Sequence, residues 1–255
     1  MSALRENGLS KVPEVTLIFW LIKIAATTLG ETAGDAVTMS LHWGYLWGTA
    51  LFGFMFVVMV IAQTRATSWH PALYWLTIVA TTTVGTTIAD FVDRSLGIGY
   101  AGGSSILLFL LLLSLFLWHR MMGTVAVTSV STPRSEAFYW TTIMFSQTLG
   151  TALGDWTADT AGLGYTGALL LFGSVLLIAA VLYATTHLSR TLLFWLAFVM
   201  TRPLGAVLGD FLDKPLKMGG LDLSRFGASA VLIGCMLALI LFFEQRPASL
   251  AQEKS

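Results

Sequence analysis

Charge is scarce in this sequence. Only 11% of its 255 residues are Asp, Glu, Lys or Arg, against about 25% in an ordinary soluble domain. So few charges exclude a water-facing globular surface. The 14 basic and 14 acidic side chains cancel, which excludes a basic face for nucleic acid. The single cysteine, Cys235, excludes an internal disulfide and a thiolate metal cluster. Its apolar surroundings mark it as a small buried residue. The four histidines, His42, His70, His119 and His187, fall at helix ends or in loops, so no imidazole site is expected. The ten methionines form no recurring M-x-x-M cluster and read as packing, not as a path for a soft metal. H-E-x-x-H, G-x-S-x-G and phosphate-loop motifs are missing, so the chain does not read as an enzyme. The opening MSALRENGLSKVPE lacks a basic segment, apolar segment and cleavage site in that order, so no cleaved leader is expected.

What is abundant is apolar sequence. Hydrophobic residues make up 56% of the chain and the mean hydropathy is +0.77. Runs such as SSILLFLLLLSLFLW and ASAVLIGCMLALILFF approach, with their flanks, the roughly 20 residues that cross a bilayer. These runs belong to a repeat. WLIKIAATTLGETAGDAVT, WLTIVATTTVGTTIADFVD, WTTIMFSQTLGTALGDWTA and WLAFVMTRPLGAVLGDFLD align without a gap from Trp20, Trp75, Trp140 and Trp195. Ten residues on come Gly30, Gly85, Gly150 and Gly205, and five further on Asp35, Asp90, Asp155 and Asp210. A second glycine follows at Gly44, Gly99, Gly164 and Gly219, with Tyr45, Tyr100 and Tyr165 after the first three. The repeats span about 13–65, 70–120, 134–187 and 190–245.

Each repeat reads as two membrane helices, giving an all-α membrane protein of eight transmembrane helices at about 15–37, 43–63, 72–93, 100–119, 137–158, 165–185, 190–212 and 225–243. Pro13 and Pro71 suit the entrances of the first and third. Two helices per repeat make the four repeats parallel, related by an axis along the membrane normal, as a pseudo-fourfold or double-twofold bundle. The termini and the links between repeats carry Arg5, Lys11, Arg65, Arg120, Arg134, Arg190, Arg246 and Lys254. The other side carries Arg94, Lys214, Lys217 and Arg225. That excess places both termini in the cytoplasm. The repeat tryptophans then read as interfacial anchors.

Fifteen helical residues from each tryptophan, about 22 Å, the four aspartates share one depth. Small residues four apart precede them: Gly30 and Gly34, Gly85 and Ala89, Gly150 and Gly154, Gly205 and Gly209. Such seams let helices approach closely. Asp93, Asp159 and Asp213 lie about one turn beyond the repeat acids, and Glu31 one turn before Asp35. Eight of the 14 acids thus gather at the ends of odd helices. Carboxylates are costly there unless paired, hydrated or ligated. Lys23 and Arg202 are the basic residues inside odd helices and the expected counter-charges. Pro203, beside Arg202, breaks the helical pattern and frees a carbonyl.

The four-fold array of one tryptophan and a G-x-x-x-[GA]-D segment resembles a bacterial membrane family built from a repeat of unknown function. The resemblance covers nearly the whole chain and implies the bacterial inner membrane. ETAGDAVT is also similar, more weakly, to the E-x-G-D-[KR]-[TS] motif of calcium/manganese exporters, though one residue longer and without the basic residue. Thr86, Thr151 and Ala206 replace Glu31 in the other repeats.

The function expected is a transporter of a hard divalent cation, a manganese exporter first. Carboxylates and hydroxyls suit such ions. The expected ligands are Glu31, Asp35, Asp90, Asp155 and Asp210, with Thr28, Thr83 and Thr148 nearby and Asp93, Asp159 and Asp213 in support. No resident cofactor is expected, and the partners are the lipid bilayer, the inorganic cation and a second copy of the chain. Three readings compete. The aspartates are architectural, capping the second helices or cross-linking repeats. The acids line a cation-selective channel or serve another solute. The chain is a membrane enzyme.

Overall fold

The computed structural model describes residues 9–249; Arg5, Lys254 and most of the opening segment lie outside the described residues. A short strand, β1 (Leu9–Pro13), precedes eight long helices. These are α1 (Leu17–Asp35), α2 (Gly44–Arg65), α3 (Pro71–Asp90), α4 (Tyr100–Met122), α5 (Pro133–Asp155), α6 (Gly164–Thr185), α7 (Arg190–Asp213) and α8 (Arg225–Phe242). A final strand, β2 (Pro247–Ser249), pairs antiparallel with β1. Seven of the helices are long and apolar enough to cross a membrane. The eighth, α5, matches them in length but includes Arg134, Glu136, Gln147 and Asp155, and all but the first of these are buried.

Local chemistry sets the helix ends. Thr16, Ser189 and Ser224 accept hydrogen bonds from the backbone N–H three residues on, as N-caps do. Thr132 and Ser135 form a reciprocal capping box before α5. Pro71 opens α3, but Pro13 ends β1, and it is Thr16 that starts α1. Past the repeat aspartate, α1, α3 and α5 each widen into a π-helical turn, at Ala36–Ser40, Phe91–Ser95 and Trp156–Thr160. Pro203 does not break α7, which runs continuously to Asp213; its ring fits against Gly150 of α5.

The odd helices form a closed ring: α1 packs on α3, α3 on α5, α5 on α7 and α7 on α1. The even helices stand outside, each on the first helix of the next repeat. Thus α2 covers α3, α4 covers α5, α6 covers α7, and α8 returns to cover α1. The even helices are mostly exposed apolar surface, Cys235 included. The expected burial of that cysteine fails because its helix faces outward.

The glycine seams close the ring in a cyclic pattern. Each first glycine is the seat for a side chain seven residues after the tryptophan of the following repeat. Thr82 lies on Gly30, Gln147 on Gly85, Arg202 on Gly150 and Thr27 on Gly205. One turn on, Thr86 lies on Gly34, Ala206 on Gly154 and Glu31 on Gly209. Close packing of this kind holds helices together where an apolar solvent supplies no hydrophobic drive between them.

The tryptophans are not interfacial anchors. Trp75, Trp140 and Trp195 are buried and Trp20 is half-buried, because each stacks edge-to-face on the aromatic residue before it. The four pairs, Phe19–Trp20, Tyr74–Trp75, Tyr139–Trp140 and Phe194–Trp195, have ring centroids 5.0–5.4 Å apart. The result is an aromatic floor, tied by a 2.6 Å Tyr74–Tyr139 hydroxyl hydrogen bond. The β-pair and the turn Val127–Ser129 lie over it, with Val12, Val127 and Val130 packed into the same core. Lys11 locks this cover: its ammonium meets Glu136 at 2.7 Å and the carbonyls of Gln63 and Thr64 at 3.1 Å.

A side chain at Gly205 has no room, since its Cβ would be driven into Thr27. Gly205→Val is expected to destabilise the bundle by about 1–3 kcal/mol through overpacking. Gly173→Ala, on the open face of α6, is expected to melt no lower than wild type. Thermal unfolding of both variants in detergent checks this.

Candidate functional site

Above the aromatic floor, the ring buries many polar side chains among its apolar ones. At mid-height Arg202 of α7 reaches across to all three other repeats. Its guanidinium pairs with Glu31 of α1 at 3.0 Å and donates to the hydroxyls of Thr86 on α3 and Thr151 on α5. Both charges are almost wholly buried, at 0% and 3% exposure. Glu31, Thr86 and Thr151 hold the same repeat position, one residue past the first glycine. Arg202 and Glu31 are thus counter-charges on different helices, and together they close the axis.

Lys23 has no such role. Its ammonium lies over the Phe198 ring, 4.1 Å from the centroid, and forms no ion pair among the described residues. It is too far below the acids, three residues past Trp20, to reach them.

The repeat aspartates divide into two clusters. In one, Arg94 bridges repeats two and three, meeting Asp90 at 2.9 Å and Asp155 at 3.0 Å. Its Nε, which meets Asp90, also donates to the Tyr100 hydroxyl at 3.1 Å, and Nη1 donates to that of Tyr45 at 3.4 Å, which gives two of the repeat tyrosines a task. In the other, Lys214 bridges repeats four and one, with Asp210 and Asp35 each at 2.9 Å. Arg225 meets Asp213 at 2.8 Å and Asp35 at 3.7 Å. Burial would lower the pKa of the Lys214 ammonium, but Asp210, Asp35 and Asp213 hold it above its ordinary value, so the lysine stays charged.

The two clusters share one design. Arg94 and Lys214 each stand four residues after a repeat aspartate, where repeats one and three have Met39 and Asp159. Alternate repeats therefore supply the cation, and the acid site is two-fold rather than four-fold.

The expected five-residue ligand set is not one site. Glu31 belongs to Arg202, and Asp90 and Asp155 belong to Arg94. What converges instead is Asp35, Asp210 and Asp213, whose carboxylate oxygens lie within 4.8 Å of one another. All three are buried, and the cluster is capable of coordinating a divalent cation. Asp35 Oδ1 and Asp213 Oδ1 have no hydrogen-bond partner among the described residues, so lone pairs are available to a ligand. Asp159 is exposed and stands apart. Asp93 is buried against Gly103, outside both clusters. Nor do the aspartates cap the second helices: α2, α4 and α6 begin without a side-chain cap.

Arg94, Lys214 and Arg225 were the residues hidden in the sequence. They read as loop charges when counted only for orientation. The signal for two of them was present, since a cation four residues after an acid shares its helix face.

Removing the bridging ammonium leaves Asp35 and Asp210 buried and without their main partner. Lys214→Met is therefore expected to cost about 3–5 kcal/mol. Arg246→Ala breaks only the exposed pair with Glu244 and is expected to leave the melting temperature unchanged. Side-by-side thermal melts in detergent without divalent cations check the contrast.

A search of curated proteins and a search of solved structures found no match. The model of the Repeat of Unknown Function (DUF347) matches four times, at residues 18–68, 73–124, 138–188 and 193–245. The four matches bear out a four-fold internal repeat, and the chain belongs to that family.

Proposed function

We propose that the chain is a multi-pass membrane carrier for a hard divalent cation, with manganese export the first activity to test. The observation that carries this reading is the convergence of Asp35, Asp210 and Asp213 with uncommitted oxygens on two of them. Three carboxylates and no sulfur or imidazole favour manganese, magnesium or calcium. In this reading Lys214 is the cation's internal substitute. It neutralises Asp35 and Asp210 when no ion is bound and is displaced when one binds, so the acids are never left bare in a low dielectric.

The central Arg202 plug favours a carrier over an open channel, because its contacts span all four repeats. An ion crossing the ring must wait for that plug to part. Parallel repeats, cytoplasmic termini and a bacterial inner membrane complete the proposal; the excess of Lys and Arg on the side of the β-pair supports the orientation.

Proteoliposomes carrying a metal-sensitive dye and a pH dye test it. Wild type is expected to give saturable manganese flux. Asp35→Asn is expected to lose it at least ten-fold while remaining folded by gel filtration. Asp155→Asn, in the Arg94 cluster, is expected to lose less. Absence of flux for manganese, magnesium and calcium, or an Asp35→Asn variant as active as wild type, overturns the reading.

A further inference from the structure

Between the aromatic floor and Arg202 lies a second polar layer that the acid clusters do not use. It holds Lys23 of α1, Thr82 of α3, and Ser146 and Gln147 of α5, every one at 0% exposure. Lys23 Nζ, Thr82 Oγ1, Ser146 Oγ and both amide atoms of Gln147 have no hydrogen-bond partner among the described residues. Arg202 Nε, on the same level, is likewise unpartnered. Buried polar groups are nearly always paired, so such a concentration within about one helical turn of one ring calls for a ligand.

The register sets these groups on adjacent turns of the ring. Thr82, Gln147 and Arg202 hold the same repeat position, each seated on a first glycine of the preceding repeat. Ser146 precedes Gln147. Lys23 is one turn before Thr27, the fourth member of that level, and its ammonium lies over Phe198, one turn before Arg202. The amide, the hydroxyls and the two cations all donate, while Gln147 Oε1 is the sole obligate acceptor. A donor-rich set of this kind suits an anion and repels a metal ion.

Charge decides which anion. Arg202 is already neutralised by Glu31. Glu31 lies two turns from Lys23, about 12 Å along the helix, and is held by Arg202 and Thr86. The Phe198 ring face eases the burial of the ammonium but adds no negative charge. Protonated Lys23 therefore adds one positive charge that no carboxylate among the described residues pairs. We infer that Lys23, Gln147, Thr82 and Ser146 form a binding site for a small monovalent inorganic anion, halide or nitrate in class, on the floor side of the Arg202 plug.

The test uses the purified full chain in detergent, without divalent cations, so it is independent of the carrier reading. Chloride, nitrate and sulfate replace gluconate at constant ionic strength, and the melting temperature is followed. A saturable rise of several degrees with chloride or nitrate, but not with sulfate, is expected. Lys23→Met is expected to weaken the apparent affinity at least ten-fold, and Gln147→Leu several-fold. A wild type without saturable response, a response confined to sulfate, or a folded Lys23→Met that keeps wild-type affinity overturns the inference. If Lys23→Met does not fold, Gln147→Leu decides, and wild-type affinity in that variant overturns it.

Discussion

The close approach of neighbouring odd helices underlies everything else in this molecule. Four glycines provide seats, and four side chains of the following repeats occupy them. This contact brings Arg202 far enough inward to reach three repeats at once, and it fixes the height at which Glu31, Thr86 and Thr151 face it. The acids beyond are aligned by the same register. A helix pair held farther apart would leave the guanidinium without its hydroxyl partners and the carboxylates without their bridges.

Most of the charges buried in this apolar fold are matched at short range. Low dielectric strengthens each pair and makes each unpaired group costly. Here the matching crosses repeat boundaries: Arg94 joins repeats two and three, and Lys214 joins four and one. Ion pairs therefore act as cross-links of the ring as well as neutralising the acids. The clusters differ in one respect that bears on ligand binding. Arg94 is a planar fork that holds two carboxylates in a fixed geometry, whereas Lys214 is a flexible point charge. The lysine cluster is the more readily rearranged.

The repeat and its helices were legible because they rest on periodicity and composition, which the chain carries four times over. The helix ends observed lie within a few residues of those expected. Azimuth was not legible. Spacing from a membrane edge makes Trp75 and Trp140 equally good as outward anchors or inward floor, and only their aromatic neighbours Tyr74 and Tyr139 decide. Pairing suffered similarly. Arg94 and Lys214 were visible as basic residues near acids, but a π-helical turn or helix end so close to the surface reads as a loop. Lys11 and the β-pair lay beyond sequence reasoning, because their partners are 52 to 240 residues away.

The return of α8 onto α1 has a consequence for how the chain comes to exist. Open solenoids gain or lose repeats one at a time, since each unit leans only on its neighbours. This ring cannot, because the cover of the first helix is the last one made. Until the fourth repeat is synthesised, Glu31 waits in the growing assembly for Arg202, and Asp35 waits for Lys214. Assembly is therefore completed in a single late step. Four repeats close this ring, and the pairs Arg202–Glu31 and Lys214–Asp35 tie the last repeat to the first.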